Sequence, residues 1–139
     1  PYSFETPTGE ARERVLADVP LFPAGSSEAV LVRNPQIAVG PAGTGAPAHA
    51  HMAAANALIV GVKRWLLVPP PLVEWSITPP LLDAASRRTG LAEHPESIEV
   101  EQRAGDVLFV PEFWGHSTLL LSDCVAATYE FVPRSSLWS

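Results

Sequence analysis

Apolar and polar residues alternate cleanly over residues 98–103 (IEVEQR), the period of a strand with one face in water. Short runs rich in β-branched residues at 28–33 (EAVLVR) and 36–39 (QIAV) predict two more strands. From 56 to 69 both alternating sets of positions are apolar until Lys63 and Arg64. That pattern predicts either one central strand covered on both faces or two strands meeting near Gly61. Residues 107–110, 117–121 and 124–132 predict three further strands, with turns at Ala104-Gly105-Asp106 and Ser122-Asp123. Helical spacing is confined to short pieces. One is expected over 10–17, ended by Pro20; another over 81–89 lies inside a Pro-rich excursion, 70–97.

Many short strands punctuated by 15 prolines and 9 glycines fit a small antiparallel barrel or jelly roll. With 139 residues, 47% of them hydrophobic, the chain is expected to be one domain with a real core. Its parts are a lead-in (1–27), a barrel (28–132) carrying the excursion, and a tail (133–139). The formal net charge is −6 and the basic residues form no run, which argues against nucleic acid or an anionic membrane surface as partner. No apolar stretch is long enough to span a membrane. Cys124 is the single cysteine, so no internal disulfide forms. The chain begins at Pro1 rather than Met; the expectation is an excised or processed piece, and its compartment is not legible.

The chemistry concentrates in residues 43–65, GTGAPAHAHMAAANALIVGVKRW. His49 and His51 stand one residue apart after a Gly/Pro turn at 40–47. On a strand that spacing aims both imidazoles at one point. His116, in GDVLFVPEFWGHSTLLL, is the candidate for a third ligand from a distant strand. Three imidazoles suit Fe, Zn, Cu or Ni and leave coordination positions open for substrate. A single buried histidine is ordinarily a hydrogen-bonded core residue, so the metal reading rests on the three together. His94, in the excursion, is expected on the surface. By residue type alone, Lys63 is a strand-end lysine extending to water and Thr128 an ordinary strand threonine. Trp65, Phe109 and Trp114 are expected in the core, and Glu112 at the rim.

Two segments match the paired motifs of the cupins. Gly43, five residues, then His49-x-His51 is the first; Gly105, five residues, Pro111, then His116 is the second. More specifically, the chain resembles the JmjC family of Fe(II)- and 2-oxoglutarate-dependent oxygenases from about Tyr2 to Val132. The matching words are VGPAGTGAPAH (39–49), NAL-x-x-G-x-KRW-x-x-x-PP (56–70) and QRAGDVLFVPEFWGHSTLLLSDCVAAT (102–128). The resemblance implies a double-stranded β-helix. It places His49 and His116 at the two family histidine positions, Lys63 and Thr128 at the far carboxylate of 2-oxoglutarate, and Asn56 near the co-substrate. The family pattern departs at His51, which stands where an Asp or Glu ligand is usual. The JmjC domain-containing protein 8 branch shares His-x-His and the same short spacing to the lysine. The glycine usual just after the second-motif proline is also absent, replaced by Glu112-Phe113.

Three functions fit these residues. The first is an Fe(II)/2-oxoglutarate oxygenase that hydroxylates a protein side chain or small molecule, with His49, His51 and His116 on the metal and Lys63, Thr128 and Asn56 on the co-substrate. The second is a non-catalytic JmjC-like subunit of a larger protein assembly. The third is a three-histidine cupin enzyme using iron or zinc without 2-oxoglutarate.

Overall fold

The computed structural model describes residues 2–19, 29–31, 35–72 and 94–133. The loop at 20–27, the helix expected over 81–89, most of the excursion and nearly all of the tail lie outside the described residues. Within them the elements are β1 (Ser3–Glu5), α1 (Gly9–Asp18), β2 (Ala29–Leu31), β3 (Gln36–Gly40), β4 (Ala54–Val60), β5 (Val62–Val68), a single 3-10 turn (Pro70–Leu72), β6 (Ile98–Arg103), β7 (Val107–Val110), β8 (Gly115–Leu120) and β9 (Cys124–Pro133).

The strands form two antiparallel sheets. One has the order β1-β3-β9-β4-β7, with β2 also pairing β9; the other has the order β6-β5-β8. Successive strands leave one sheet and enter the other at the β4–β5, β6–β7, β7–β8 and β8–β9 connections. This is the jelly-roll arrangement of a double-stranded β-helix. β1 falls in the stretch read as a lead-in and joins the larger sheet beside β3. Helix α1 buries none of its own residues. Tyr129, on the outer face of β9, anchors it by donating its hydroxyl to Val15 O at 3.2 Å; burial pushes that phenol up to about 12.

The 56–69 run resolves as two strands meeting at Gly61. Its φ of +94° places it in the left-handed region, and a Cβ there would stand 2.2 Å from Asp123 O. Across this turn, and the register shift between Leu58 and Val60 just before it, the inward set changes parity. Ala54, Asn56 and Leu58 point inward on β4, whereas Lys63, Trp65 and Leu67 do so on β5. β8 contributes His116, Thr118 and Leu120 to the interior, and β9 contributes Ala126, Thr128 and Glu130.

Two expectations are corrected. Phe109 is 55% exposed rather than core. β7 pairs with β4 so that Leu108 and Val110 face the interior and Phe109, opposite Ala55, faces outward, its ring 5.9 Å from that of Phe131. Trp65 is buried as expected, and Trp114 packs partly buried beside it. Second, His49 and His51 do not lie on a regular strand; His49 makes only an isolated bridge to His116. The segment follows β8, but Ala46 faces Thr118 and His49 faces His116. Two residues, 47 and 48, therefore oppose one, Ser117, a bulge at which Pro47 has no N–H to give.

Gly61→Ala is expected to cost about 2 kcal/mol of stability, from left-handed strain and the carbonyl clash. Urea denaturation of the two proteins measures it; equal midpoints would contradict this reading of the β4–β5 junction.

Candidate metal centre

His49 and His116 are locked together through their backbones. His49 N–H donates to His116 O at 3.0 Å, and His116 N–H donates to His49 O at 2.8 Å. His51 is held one step further on, where Phe113 N–H donates to His51 O at 2.9 Å. Phe113 sits at φ +62°, a conformation glycine adopts freely and a bulky residue rarely does. The three rings converge. Their centroids lie 4.3 Å (His49–His116), 4.6 Å (His51–His116) and 5.3 Å (His49–His51) apart. One ring nitrogen from each lies within 4.8 Å of the others.

Each ring is also oriented. The Nδ1 atoms sit 2.7 Å from Pro47 O, 2.7 Å from Met52 O and 3.0 Å from Trp114 O, for His49, His51 and His116 respectively. A carbonyl only accepts, so Nδ1 carries the proton and Nε2 keeps its lone pair. Burial pushes His116 down to about 3, with His49 and His51 adding to the effect and the Trp114 carbonyl opposing it. His49 is lowered as well, first by burial. His49 and His116 are thereby held neutral, all three rings are pre-oriented, and the donor set fits a divalent transition ion. His94 lies apart from the cluster and accepts Glu96 N–H at 3.2 Å. Glu112 is half-buried in the turn before His116 and is not part of the cluster.

The histidines open onto a cleft of about 250 Å³. Ala46 and Ala54 line it, and their short side chains leave the space that leucines would fill. Asn56 and Thr128 face each other across the β4–β9 register, with Asn56 Nδ2 donating to Thr128 Oγ1 at 2.6 Å. Lys63 does not line the cleft; its Nζ donates to Asn56 Oδ1 at 3.3 Å from behind. It is 1% exposed, lies 5.2 Å from the centroid of the Trp65 ring, and among the described residues pairs with no carboxylate. Burial pushes its ammonium down to about 8.

Other residues in and behind the cleft belong to no metal or co-substrate motif. Buried Gln102 accepts from Trp65 Nε1 at 2.9 Å and donates to Asn56 O at 2.7 Å, fixing the wall behind Asn56. Tyr2 lines the cleft, its phenol pushed up to about 12 by burial against a hydrogen bond with Thr118. Glu130 lines it too, two residues beyond Thr128 on the same face of β9. Strand alternation from Thr128 would have found Glu130, and the apolar phase of 98–103 includes Gln102; nothing local marks Tyr2.

No family model matches the chain. Individual relatives do. It is 32% identical over 117 residues to the arginine-specific demethylase JMJ22 of Arabidopsis thaliana, covering 73% of this chain and 23% of that protein. It is 37% identical over 86 residues to human JmjC domain-containing protein 8, covering 60% of this chain and 33% of that one. The chain belongs to the JmjC family of cupins. Human 2-oxoglutarate and iron-dependent oxygenase JMJD4 is 31% identical over 113 residues, 70% of this chain and 27% of that protein. The chain thus spans roughly a quarter to a third of these JmjC relatives. The fold matches YcfD, a ribosomal oxygenase from Escherichia coli, in complex with cobalt and 2-oxoglutarate. The TM-score is 0.53 at 16% identity over 73% of this chain and 24% of that one. Among the described residues no helix of this JmjC barrel is long and apolar enough to cross a membrane.

The buried Lys63 has a measurable consequence. Its pKa falls from 10.5 to about 8 in the fold, so between those values the unfolded chain binds more protons. Stability should therefore rise with pH across that window, and the full burden is present below it. Lys63→Met is expected to stabilise the ligand-free protein at pH 7 by on the order of 2 kcal/mol, with the gap closing above pH 9. Denaturation at pH 7 and pH 10 checks both; a less stable Met variant at pH 7 would contradict it.

Proposed function

We propose that this JmjC barrel is an Fe(II)- and 2-oxoglutarate-dependent oxygenase of hydroxylase type, acting on a protein side chain or a small molecule. The observation that carries the reading is Lys63. A buried cation without a carboxylate partner costs stability, and a fold gains nothing from it unless an anion arrives. The far carboxylate of a short dicarboxylate is such an anion. Lys63 and Thr128 would bind it by charge-assisted hydrogen bonds once Asn56 turns aside. Gln102 and Trp65 hold Asn56 and the lysine in place, while Ala54 and Val110 keep the near wall apolar.

His49, His51 and His116 would hold the metal through Nε2. When bound, iron with 2-oxoglutarate supplies oxidative decarboxylation, in which dioxygen gives one atom to succinate and one to the hydroxylated product as carbon dioxide leaves. The relatives named as 2-oxoglutarate and iron-dependent oxygenases support this choice of metal and co-substrate. Zinc suits three imidazoles equally well.

One observation favours a second reading. With His51 at the usual carboxylate position, the ligand set carries no negative charge, as in three-histidine cupins that do without 2-oxoglutarate and as in a binding subunit that has lost catalysis.

Anaerobic addition of Fe(II) and then 2-oxoglutarate to the metal-free protein should produce the visible charge-transfer band of a chelated 2-oxo acid. Lys63→Ala should weaken co-substrate affinity about ten-fold or more and Thr128→Val less, since only the first removes a charge. Iron binding without the band, or a band indifferent to Lys63, would move the assignment to the second reading.

A further inference from the structure

The usual JmjC ligand set includes a carboxylate, and in this chain that position is His51. The consequence is one of charge. A divalent ion, one carboxylate ligand, a dicarboxylate co-substrate and a lysine sum to zero. Replacing the carboxylate by a neutral imidazole leaves one positive charge uncompensated inside a buried cleft, where such an excess is costly. Among the described residues lining the cleft, Glu130 is the one acid.

Its position is specific. Glu130 is 7% exposed, on the inward face of β9. It lies opposite Ala54, the first residue of β4, and the chain reaches Ala54 directly from His51 through Met52 and Ala53. The next residue, Phe131, donates its N–H to Ala53 O at 2.9 Å, so β9 is fastened to that connection beside the histidines. Resting on the metal assignment above, we propose that Glu130 is the anionic partner of the metal centre: a carboxylate on the last strand that supplies the negative charge His51 withholds. The charge has moved across the cleft rather than vanished, from the first metal-binding segment to β9. The two-residue offset from Thr128 gives one strand both functions: Thr128 toward the co-substrate and Glu130 toward the metal.

The test is metal affinity alone, with Co(II) as the probe, without 2-oxoglutarate and without turnover. Competition against a chromophoric chelator gives the dissociation constants of wild type, Glu130→Gln, and Glu130→Gln combined with His51→Asp. Glu130→Gln should bind Co(II) about ten-fold or more weakly, because a negative charge beside a divalent ion in a buried cleft is lost. His51→Asp should restore affinity in that background, because it returns a carboxylate to the centre. It should gain much less with Glu130 present. Should the buried amide of Glu130→Gln hinder folding, Glu130→Ala, which leaves room for water beside Ala54, serves the same comparison with the same expected loss. Wild-type affinity in the Gln or Ala variant, or no rescue by His51→Asp, would overturn the role of Glu130 while leaving the three-histidine site standing. A wild-type protein that binds no Co(II) would overturn both.

Discussion

Two backbone hydrogen bonds between His49 and His116 hold the molecule's chemistry together. They join segments 67 residues apart in the chain, and they form only because the 43–49 segment follows β8 through a bulge. The bulge matters because a regular strand would continue the hydrogen-bond ladder and leave the imidazoles to point as the pleat dictates. Here three local carbonyls, of Pro47, Met52 and Trp114, set the three rings instead. Every ring is thereby oriented by backbone, which cannot titrate, and burial keeps His49 and His116 neutral. The site is built before any ligand enters it.

Around this centre the barrel carries features that oppose stability. Lys63 is buried beside a neutral amide and an indole ring, with no carboxylate partner among the described residues, and Phe113 occupies a left-handed conformation. The interior near the cleft is lined with alanine where a better-filled core would have larger side chains. A packed barrel could satisfy the same sheet topology without any of these. Their coincidence at one end of the molecule is what separates a binding site from a structural core, since strain and unpaired charge persist where a ligand relieves them.

The strand plan was legible because alternation and Gly/Pro punctuation are local signals. β6 and β7 match their expected bounds, and α1 differs by one residue at each end. The three histidines were legible as a set because two of them stand in one tripeptide. Phe109 was misplaced because hydrophobicity does not say which face of a strand points inward; pairing with β4 decides that, and pairing is a long-range property. The His-x-His segment was misassigned for a related reason. Its regularity depends on how many residues oppose β8, which no local pattern encodes. Tyr2 reaches the cleft by tertiary placement alone, and Gln102, on the apolar phase of 98–103, stands behind it. Glu130 was within reach of strand alternation counted from Thr128, the residue that the resemblance to the JmjC family singled out.

The central claim is that three neutral imidazoles, His51 among them, hold one divalent ion in this JmjC barrel. X-ray absorption of the Co(II)-loaded protein tests it most directly, because the outer-shell scattering of imidazole rings counts histidine ligands. The account predicts three rings in the wild type and two in His51→Ala. Two rings in the wild type, unchanged by His51→Ala, would show that His51 stands aside from the metal and would contradict the account.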